Sequence, residues 1–247
     1  APFTIKEIID KKELILENIK LIIILGITSI TIFNSIVYYS LNFTQVISGV
    51  LMISTIPVMI IFFCWVFRIE KTNFYQILGV IFSLFGVIVI ITNANLSKLI
   101  NLNFNKGDLW MVVAMLSWAM YSALLKKEKF KLTHISFLQT IITAGLILLF
   151  PAYLIEMSLG NKLEINAPFI LTLTYVVLFP GLASFFFWIK GISIIGSNRA
   201  GIFLHLMPIF STILAMLIFN EKFMGFHLIG ATLIITGIIL SSRGRYK

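Results

Sequence analysis

The sequence predicts an all-α polytopic membrane protein whose eight transmembrane helices belong to a ten-helix fold of two inverted five-helix repeats. Three observations predict this class. Hydrophobic residues make up 59% of the chain and charged residues 12%, with a mean hydropathy of +1.03, whereas a water-soluble domain carries about 25% charged residues. The apolar residues form eight runs of membrane-spanning length. Five marker residues also recur at one constant offset.

The chain divides into four segments. Residues 1–20 carry charges of both signs and apolar side chains near helical spacing, which predicts a cytoplasmic amphipathic connector rather than a signal peptide. Residues 21–93 are assigned to three helices of a first, incomplete repeat, and 108–241 to five helices of the second. Residues 242–247 form a basic cytoplasmic tail.

Eight apolar runs have the length that a bilayer requires, because a helix needs roughly 20 residues to cross about 30 Å of hydrocarbon. We place them near 20–41, 45–67, 73–93, 108–125, 133–155, 168–190, 199–219 and 224–241. The connectors between them are short, and the longest separates the third run from the fourth.

The basic residues are distributed unevenly between the two sides that eight spans define. If the N-terminus is cytoplasmic, fifteen of the 19 lysines and arginines lie inside, and the four outside are Lys98, Lys106, Lys162 and Lys222. Cytoplasmic loops carry such an excess, so we expect both termini in the cytoplasm. The abundance of Ile, Lys, Asn and Phe is typical of an AT-rich genome and indicates a bacterial inner (cytoplasmic) membrane.

The internal repeat has an offset of 151 residues. Five marker residues recur in the same order, and the pairs are Pro57 and Pro208, Glu70 and Glu221, Lys71 and Lys222, Gly79 and Gly230, and Gly86 and Gly237. Spans one to three thereby correspond to spans six to eight, so the repeating unit is five spans long. A unit with an odd number of spans places its second copy upside down in the membrane, and inverted repeats are typical of secondary transporters.

The fourth and fifth spans have no counterparts 151 residues earlier. We therefore expect two further N-terminal helices in the natural protein, with helices three to ten present in this N-terminally truncated chain. The alternative is a natural eight-helix protein that has lost one helix pair.

Short motifs in both copies resemble one known family. In the first copy they are Tyr-Tyr-Ser-Leu, Arg-Ile-Glu-Lys, Ile-Leu-Gly and Phe-Gly-Val. In the second they are Gly-Asp-Leu-Trp, Trp-Ile-Lys-Gly, Asn-Arg-Ala-Gly-Ile-Phe-Leu-His-Leu-Met-Pro, Asn-Glu-Lys, Ile-Gly-Ala and Thr-Gly-Ile. From about residue 20 to 245 the chain resembles the EamA-type transporters of the drug/metabolite transporter superfamily.

The resemblance implies a substrate class and a direction. It indicates export of small polar metabolites, amino acids or related organic solutes, while the inverted repeat indicates alternating access between two halves. The expected partners are a small-molecule substrate and the lipid bilayer, and a homodimer is left open. The alternative interpretation is a non-transporting membrane scaffold or interaction protein.

Four residues are candidate hinges. Pro57 and Pro208 each remove one helix hydrogen bond, which should leave the carbonyls of Ile53 and Leu204 without their usual donors. Pro180 and Gly181 form a third weak point in the sixth span. Each proline either hinges the helix and exposes a carbonyl to a cavity or only fits a static kink to neighbouring helices.

Polar and aromatic side chains within the spans are candidates for substrate binding. Asn34 and Tyr38 belong to a polar stripe on the first span, which either lines a cavity or joins helices. Trp118 lies near the middle of the fourth span, three residues before Tyr121, whereas a membrane-interface belt places tryptophan at span ends. Trp188, near the end of the sixth span, completes the aromatic candidates.

Two basic side chains complete the candidate substrate site. Lys190, near the cytoplasmic end of the sixth span, either extends to the headgroups or attracts a carboxylate or phosphate of the substrate. His205, three residues before Pro208, either hydrogen-bonds the substrate or is a buried neutral histidine bonded to a backbone carbonyl.

Several function classes lack their sequence signals. The basic residues lie in separate connectors rather than on one face, so nucleic-acid binding is not expected. The single cysteine, Cys64, lies in an apolar run, and no phosphate-binding loop, His-x-x-x-His pair or paired carboxylate occurs. We therefore expect no enzyme activity, no cofactor and no metal.

Overall fold

The computed structural model describes residues 4–102, 105–127, 131–160, 165–219 and 222–243. Within these ranges every regular element is a helix. Glu221 of the repeat, Lys129 and Lys162 of the charge count, and most of the 242–247 tail lie outside the described residues.

In the part of the chain that the structure describes, eight helical segments are long and apolar enough to cross a membrane, and each overlaps one predicted run. We name them spans 1 to 8 in chain order: Ile19–Ser40, Ser48–Val66, Phe74–Thr92, Lys106–Lys127, His134–Ser158, Ala167–Ile195, Ser197–Phe219 and Gly225–Ser242. The largest difference is at span 6, which continues to Ile195. The predicted class, an all-helical polytopic membrane fold, is confirmed.

Two short helices, Ile5–Asp10 and Lys12–Glu17, precede span 1. Leu14 and Ile15 pack against the main apolar core. The amphipathic segment predicted at the N-terminus is thus helical and rests on the bundle.

Glu7 attaches this N-terminal segment to the beginning of span 5. Its carboxylate accepts hydrogen bonds from the Thr133 N–H at 2.9 Å, the Thr133 hydroxyl at 2.7 Å and the Ser136 hydroxyl at 2.5 Å. It also pairs with Lys11 at 2.9 Å. These bonds, with that from Ser136 the most important, lower the pKa of Glu7 to about 2 because they stabilise its charged form.

Spans 3 and 8 cross at two pairs of glycines. A Cβ on Gly86 would lie 2.6 Å from the Gly230 carbonyl oxygen, and one on Gly230 would lie 2.7 Å from the Gly86 oxygen. Gly79 and Gly237 approach each other in the same way. An offset of 151 residues converts the first pair into the second, so the contacts follow a pseudo-twofold axis between the repeats.

Span 2 is broken near its middle. Its two helical parts, Val46–Ile53 and Ile56–Val66, are separated by Ser54 and Thr55. Pro57 lies in the first turn after this break, where a missing N–H costs no helical hydrogen bond. The proline therefore begins a new helix instead of kinking a continuous one.

Span 7 is broken at the equivalent place. A 3₁₀ turn, Phe203–Leu206, leads into the helix Met207–Phe219 that contains Pro208 in its first turn. We expected the Leu204 carbonyl to lose its donor; instead it accepts from the Met207 N–H. The tighter hydrogen-bonding pattern of the 3₁₀ turn therefore satisfies this carbonyl locally.

Spans 1 and 6 each contain a π-helical stretch, at Ile27–Asn34 and Val177–Ala183. The two stretches correspond in the repeat to within a residue or two. Pro180 lies inside the second, whereas the first contains no proline. Proline is therefore not the common cause of these stretches, which are frequent at functional sites.

Span 4 forms the centre of the bundle. Of its apolar stretch 61% is buried, against 6% for span 6. Small residues allow its neighbours to approach closely, and Ser117 donates a hydrogen bond of 2.8 Å to the Thr28 carbonyl on span 1. Spans 1 and 2 pack on this helix, so residues of both repeats meet along it.

The end of span 2 has an unusual backbone. The N–H groups of Arg68 and Ile69 bond back to the carbonyls of Trp65 and Cys64, and Arg68 has φ 52°. Glycine is the usual residue in this left-handed position, because an L-residue there costs roughly 1–2 kcal/mol. The chain nevertheless places a long cationic side chain at this helix end.

Candidate functional site

Five aromatic rings form a cluster inside the bundle. The Trp118 ring lies 4.5 Å from Phe33, 5.2 Å from Tyr121, 5.2 Å from Phe185 and 5.8 Å from Trp188, measured between centroids. Trp118 is 9% exposed, and Tyr121 is fully buried. We call this set the aromatic cluster.

Helical spacing accounts for the arrangement. Trp118 and Tyr121 lie three residues apart on span 4, and Phe185 and Trp188 lie three apart on span 6, so each pair shares one helix face. Phe33 comes from the π-helical stretch of span 1. The cluster therefore joins the first repeat, through span 1, to spans 4 and 6 of the second.

The Tyr121 hydroxyl is buried, and no hydrogen-bond partner for it occurs within the described ranges. A buried hydroxyl without a partner is costly, by about 1–3 kcal/mol, and such groups are few in native structures. The Tyr121 ring contacts those of Trp118 and Phe185, so the cluster combines aromatic surface with an unpartnered hydroxyl. A ligand hydroxyl, amine or carboxylate could hydrogen-bond with it.

Trp188 has its own partner. Its Nε1–H donates to the Ser122 hydroxyl at 3.1 Å, and the Ser197 hydroxyl donates to the Ser122 carbonyl at 2.7 Å. These bonds fix span 6 and the beginning of span 7 against span 4. Trp188 is thus an oriented member of the cluster and not a lone interfacial tryptophan.

The polar stripe on span 1 is divided between several environments. The Thr31 hydroxyl donates to the Gly145 carbonyl on span 5 at 3.0 Å, so it joins two helices. Asn34 donates to the Ser29 carbonyl of its own span at 3.0 Å. Tyr38 is 57% exposed. Within the described residues, Tyr38 makes no ring contact with the aromatic cluster, and the Asn34 side chain bonds within its own span instead.

Lys190 lies two residues beyond Trp188 on span 6, and its side chain is exposed. Its carbonyl accepts from the Ser193 hydroxyl at 2.8 Å. The amine is therefore accessible near the end of span 6, while the cluster lies deeper in the bundle.

His205 is fully buried and connects three spans. Its Nε2 lies 2.8 Å from the Ser54 carbonyl in the break of span 2, and its Nδ1 lies 2.5 Å from the Ser83 hydroxyl on span 3. The Ser54 carbonyl can only accept, so Nε2 carries a proton and donates it. Of the two interpretations of His205, this geometry matches the histidine bonded to a backbone carbonyl.

Ser54 and His205 are 151 residues apart, which is the repeat offset. A pair of this kind lies on the pseudo-twofold axis, because the repeat operation exchanges its two members. We call His205, Ser54 and Ser83 the axial node. Sequence reasoning identified His205 but not its partners, although the offset between positions 54 and 205 was the available signal.

Glu70 has a role that the sequence did not reveal. Its carboxylate accepts hydrogen bonds from the N–H groups of Ser197 at 2.9 Å and Asn198 at 3.1 Å. These are the first residues of span 7, whose helix dipole favours an anion there. Glu70 therefore fixes the end of span 2 to the beginning of span 7.

In the part of the chain that the structure describes, no three His, Cys, Asp or Glu side chains come together as a group that could hold a metal ion. Cys64 is buried, with a free thiol.

The fold and the site define a polytopic helical membrane protein in which a buried aromatic cluster joins two inverted repeats. A family model described as the EamA-like transporter family matches residues 2–92 and 105–243. The chain therefore belongs to the EamA-like transporter family, which confirms the resemblance found in the sequence.

Relatives with curated descriptions are also transporters by name. An uncharacterized transporter of Bacillus subtilis, YyaM, is 25% identical over 232 residues, covering 94% of this chain and 76% of that protein. An uncharacterized transporter of Archaeoglobus fulgidus is 23% identical over 224 residues, covering 91% and 76%. A solved chain described as "Crystal structure of protein" superposes with a TM-score of 0.68 at 16% identity, covering 89% of this chain and 74% of that one. The last similarity shows the fold alone.

Proposed function

We propose that this protein is a secondary transporter that exports small polar metabolites, amino acids or related organic solutes, by alternating access between its two inverted halves. One observation carries the proposal beyond family membership. The aromatic cluster joins both repeats inside the bundle and contains the unpartnered Tyr121 hydroxyl. Ligand sites are commonly apolar and aromatic surfaces with a few polar groups that fix orientation.

The chemistry of the cluster supports an organic solute. The Trp118 and Trp188 rings offer faces for apolar groups or for a cation, and the Tyr121 hydroxyl offers one hydrogen bond. Lys190, exposed near the end of span 6, would attract a carboxylate toward this end of the pathway. A zwitterionic amino acid carries all the groups that these side chains recognise. The direction of transport rests on the family resemblance.

Contacts at the repeat axis support alternating access. When two inverted halves exchange conformations, each contact between them is converted into its equivalent 151 residues away. The Gly79–Gly237 and Gly86–Gly230 contacts are converted into each other, and the repeat operation exchanges the two members of the Ser54–His205 pair. The glycine contacts and the proximity of Ser54 to His205 can therefore persist while the two halves exchange conformations. We therefore assign the pivot to spans 3 and 8 and the axial node.

The candidate hinges fit around this pivot. Pro57 and Pro208 begin the second parts of the broken spans 2 and 7, and Pro180 and Gly181 lie in the π-helical stretch of span 6. Backbone at such breaks has fewer regular hydrogen bonds to lose than a continuous helix. Motion of spans 6 and 7 would then open one end of the cluster.

The test is flux of a labelled amino-acid panel in liposomes that contain the purified full chain. Saturable flux is expected, and Tyr121→Phe, which removes only the hydroxyl oxygen, should lower it about tenfold at low substrate. Lys190→Ala should raise the KM for carboxylate substrates. Trp110→Phe is the matched control because Trp110 is 43% exposed and lies outside the cluster.

His205→Ala separates binding from pivoting in the same assay. We expect it to lower the maximal flux and to leave the KM nearly unchanged, provided that the protein remains folded. Absence of flux for every solute in folded protein would favour a scaffold or interaction protein instead. Turnover of a solute without its movement across the membrane would indicate an enzyme.

A further inference from the structure

A groove lined by both charged and apolar side chains, which we call the polar groove for its charges, lies where span 2 ends and span 3 begins. It has a volume of about 960 Å³ and is lined by residues between positions 65 and 72, with Trp65, Arg68 and Lys71 among them. This end of the molecule is the one that we predict to face the cytoplasm. None of the five aromatic-cluster residues lines this groove.

A second, apolar groove of about 390 Å³ lies between spans 2 and 3 and shares Trp65 with the first. Span 2 contributes Trp65 and Phe62 among its lining residues, and span 3 contributes Ile77 and Ile81. Trp65 lines both grooves and is 71% exposed. A single elongated ligand could thus occupy both, with a polar end beside Arg68 and an apolar end between spans 2 and 3.

The polar groove carries uncompensated positive charge. Within the described ranges, neither the Arg68 nor the Lys71 side chain forms an ion pair or a side-chain hydrogen bond. Glu70 also lines the groove, but its carboxylate is bonded to the first N–H groups of span 7. An adjoining groove, which shares Glu70 and Lys71, adds Lys126.

We propose that these two grooves form a binding site for an anionic phospholipid of the surrounding bilayer. The phosphate contacts Arg68 and Lys71, and one acyl chain lies in the apolar groove between spans 2 and 3. Arginine presents several N–H donors that match phosphate oxygens, and lysine adds a second cation. Trp65, with an apolar ring and a polar N–H, suits the boundary between headgroup and acyl chain.

Charge complementarity selects the anionic lipid. A zwitterionic lipid could fill the apolar groove equally well, but its own cation would oppose the two basic side chains. Basic residues at the cytoplasmic surface attract anionic lipids in general. This site differs from such general attraction because a groove for an acyl chain begins at the same tryptophan, Trp65. Substitutions that remove the charges and substitutions that fill the apolar groove should therefore affect lipid binding separately.

Native mass spectrometry of the detergent-purified full chain tests the proposal. The protein is titrated with an equal mixture of phosphatidylglycerol and phosphatidylcholine that carry the same acyl chains. We expect the first bound lipid to be phosphatidylglycerol. The double variant Arg68→Gln/Lys71→Gln should lose this preference by about tenfold.

The matched control is Lys12→Gln/Lys20→Gln, which removes two exposed charges on the same predicted side. It should keep the preference. An equal loss in both double variants would overturn the proposal in favour of diffuse surface charge, and so would an unchanged preference in Arg68→Gln/Lys71→Gln. Thermal unfolding of each variant verifies that it is folded.

A third variant tests the apolar groove. Ile81→Trp places a large ring in it and should lower the occupancy of both lipids, whereas Leu228→Trp, at an exposed position on span 8, should change neither. Excess inorganic phosphate distinguishes a headgroup-only site from a lipid site. Complete displacement of the lipid by phosphate, or normal lipid binding in Ile81→Trp, would show that the acyl chain contributes nothing and would contradict the proposal.

Discussion

Both ring nitrogens of His205 are used in hydrogen bonds inside the membrane-spanning region. Water is absent from a bilayer interior, so a polar group there must find its partner within the protein. The break in span 2 leaves the Ser54 carbonyl available, because the Val58 N–H bonds to Thr55 instead. The break and the histidine therefore depend on each other, because the break frees the Ser54 carbonyl and the His205 Nε2–H donates a hydrogen bond to it.

Replacing His205 by alanine should lower the free energy of unfolding by about 1–3 kcal/mol, because the Ser54 carbonyl loses its buried donor. Unfolding by SDS titration in mixed micelles measures this change. His134→Ala is the control, since His134 makes one exposed bond of 3.1 Å to Ser193, and it should cost less than about 1 kcal/mol. Equal losses for the two variants would contradict the role given to the axial node.

Glu7 provides a pH-dependent attachment of the N-terminal segment. Its pKa falls from 4.5 to about 2, so the folded state favours the charged carboxylate. The resulting stability is complete above the ordinary pKa and is lost as the pH falls through the folded value. We expect the protection factors of amides in the two N-terminal helices, which are exchange rates corrected for the intrinsic effect of pH, to fall between about pH 4.5 and about pH 2.

Glu7→Gln should reproduce this loosening at neutral pH. Glu13→Gln is the matched control because Glu13 is exposed on the neighbouring short helix. Hydrogen–deuterium exchange of the first 20 residues measures both effects. Equally faster exchange in both variants would show that the hydrogen bonds of Glu7 do not specifically attach the N-terminal segment to span 5.

Close packing of spans 3 and 8 depends on glycines that face backbone atoms. The pairs Gly79 with Gly237 and Gly86 with Gly230 leave no room for a methyl group. Small residues allow such close approach of helices in membranes, where van der Waals packing and hydrogen bonds drive association. These glycines are therefore needed because they allow spans 3 and 8 to approach closely, and not because they make the backbone flexible.

Gly86→Ala should destabilise the protein by about 1–3 kcal/mol because spans 3 and 8 must separate to admit the methyl group. Gly191→Ala provides the opposite case. No atom lies within 4 Å of the Cβ that would be added there, and alanine is the better helix former by about 1 kcal/mol. SDS titration of both variants checks the signs, and a stable Gly86→Ala protein would contradict the packing described for spans 3 and 8.

Equivalent spans of the two repeats differ in burial. Spans 1 and 2 are 28% and 33% buried over their apolar stretches, against 6% and 17% for spans 6 and 7. Spans 4 and 5 pack against span 1, and span 4 also packs against span 2, which contributes to the greater burial of the first pair.

The orientation in the membrane can be tested with two single cysteines in a Cys64→Ala background. We expect a membrane-impermeant maleimide to label Ser97→Cys in intact cells, because this position follows span 3 on the predicted outer side. Glu13→Cys should react only after the cells are permeabilised. Labelling of both in intact cells would contradict the cytoplasmic N-terminus.

Much of the architecture was predictable because its causes are local. Apolar length specifies the spans, and the recurrence of Gly79 and Gly86 at one offset indicates the repeat axis. The cluster was only partly predicted. Trp118 stood out by its position, but Phe33 and Phe185 are two of 23 phenylalanines, and contacts between distant spans leave no spacing signal. The partners of Glu70 were not predicted for the same reason, since they lie on span 7.

The position of Ser54 and His205 on the axis has a consequence for evolution. Duplication of an ancestral half would place the same residue at both positions, where the two copies face each other. The two positions now hold different residues, and at 2.8 Å the His205 side chain donates to the backbone carbonyl of its equivalent, Ser54. The two halves are therefore no longer interchangeable at the axis.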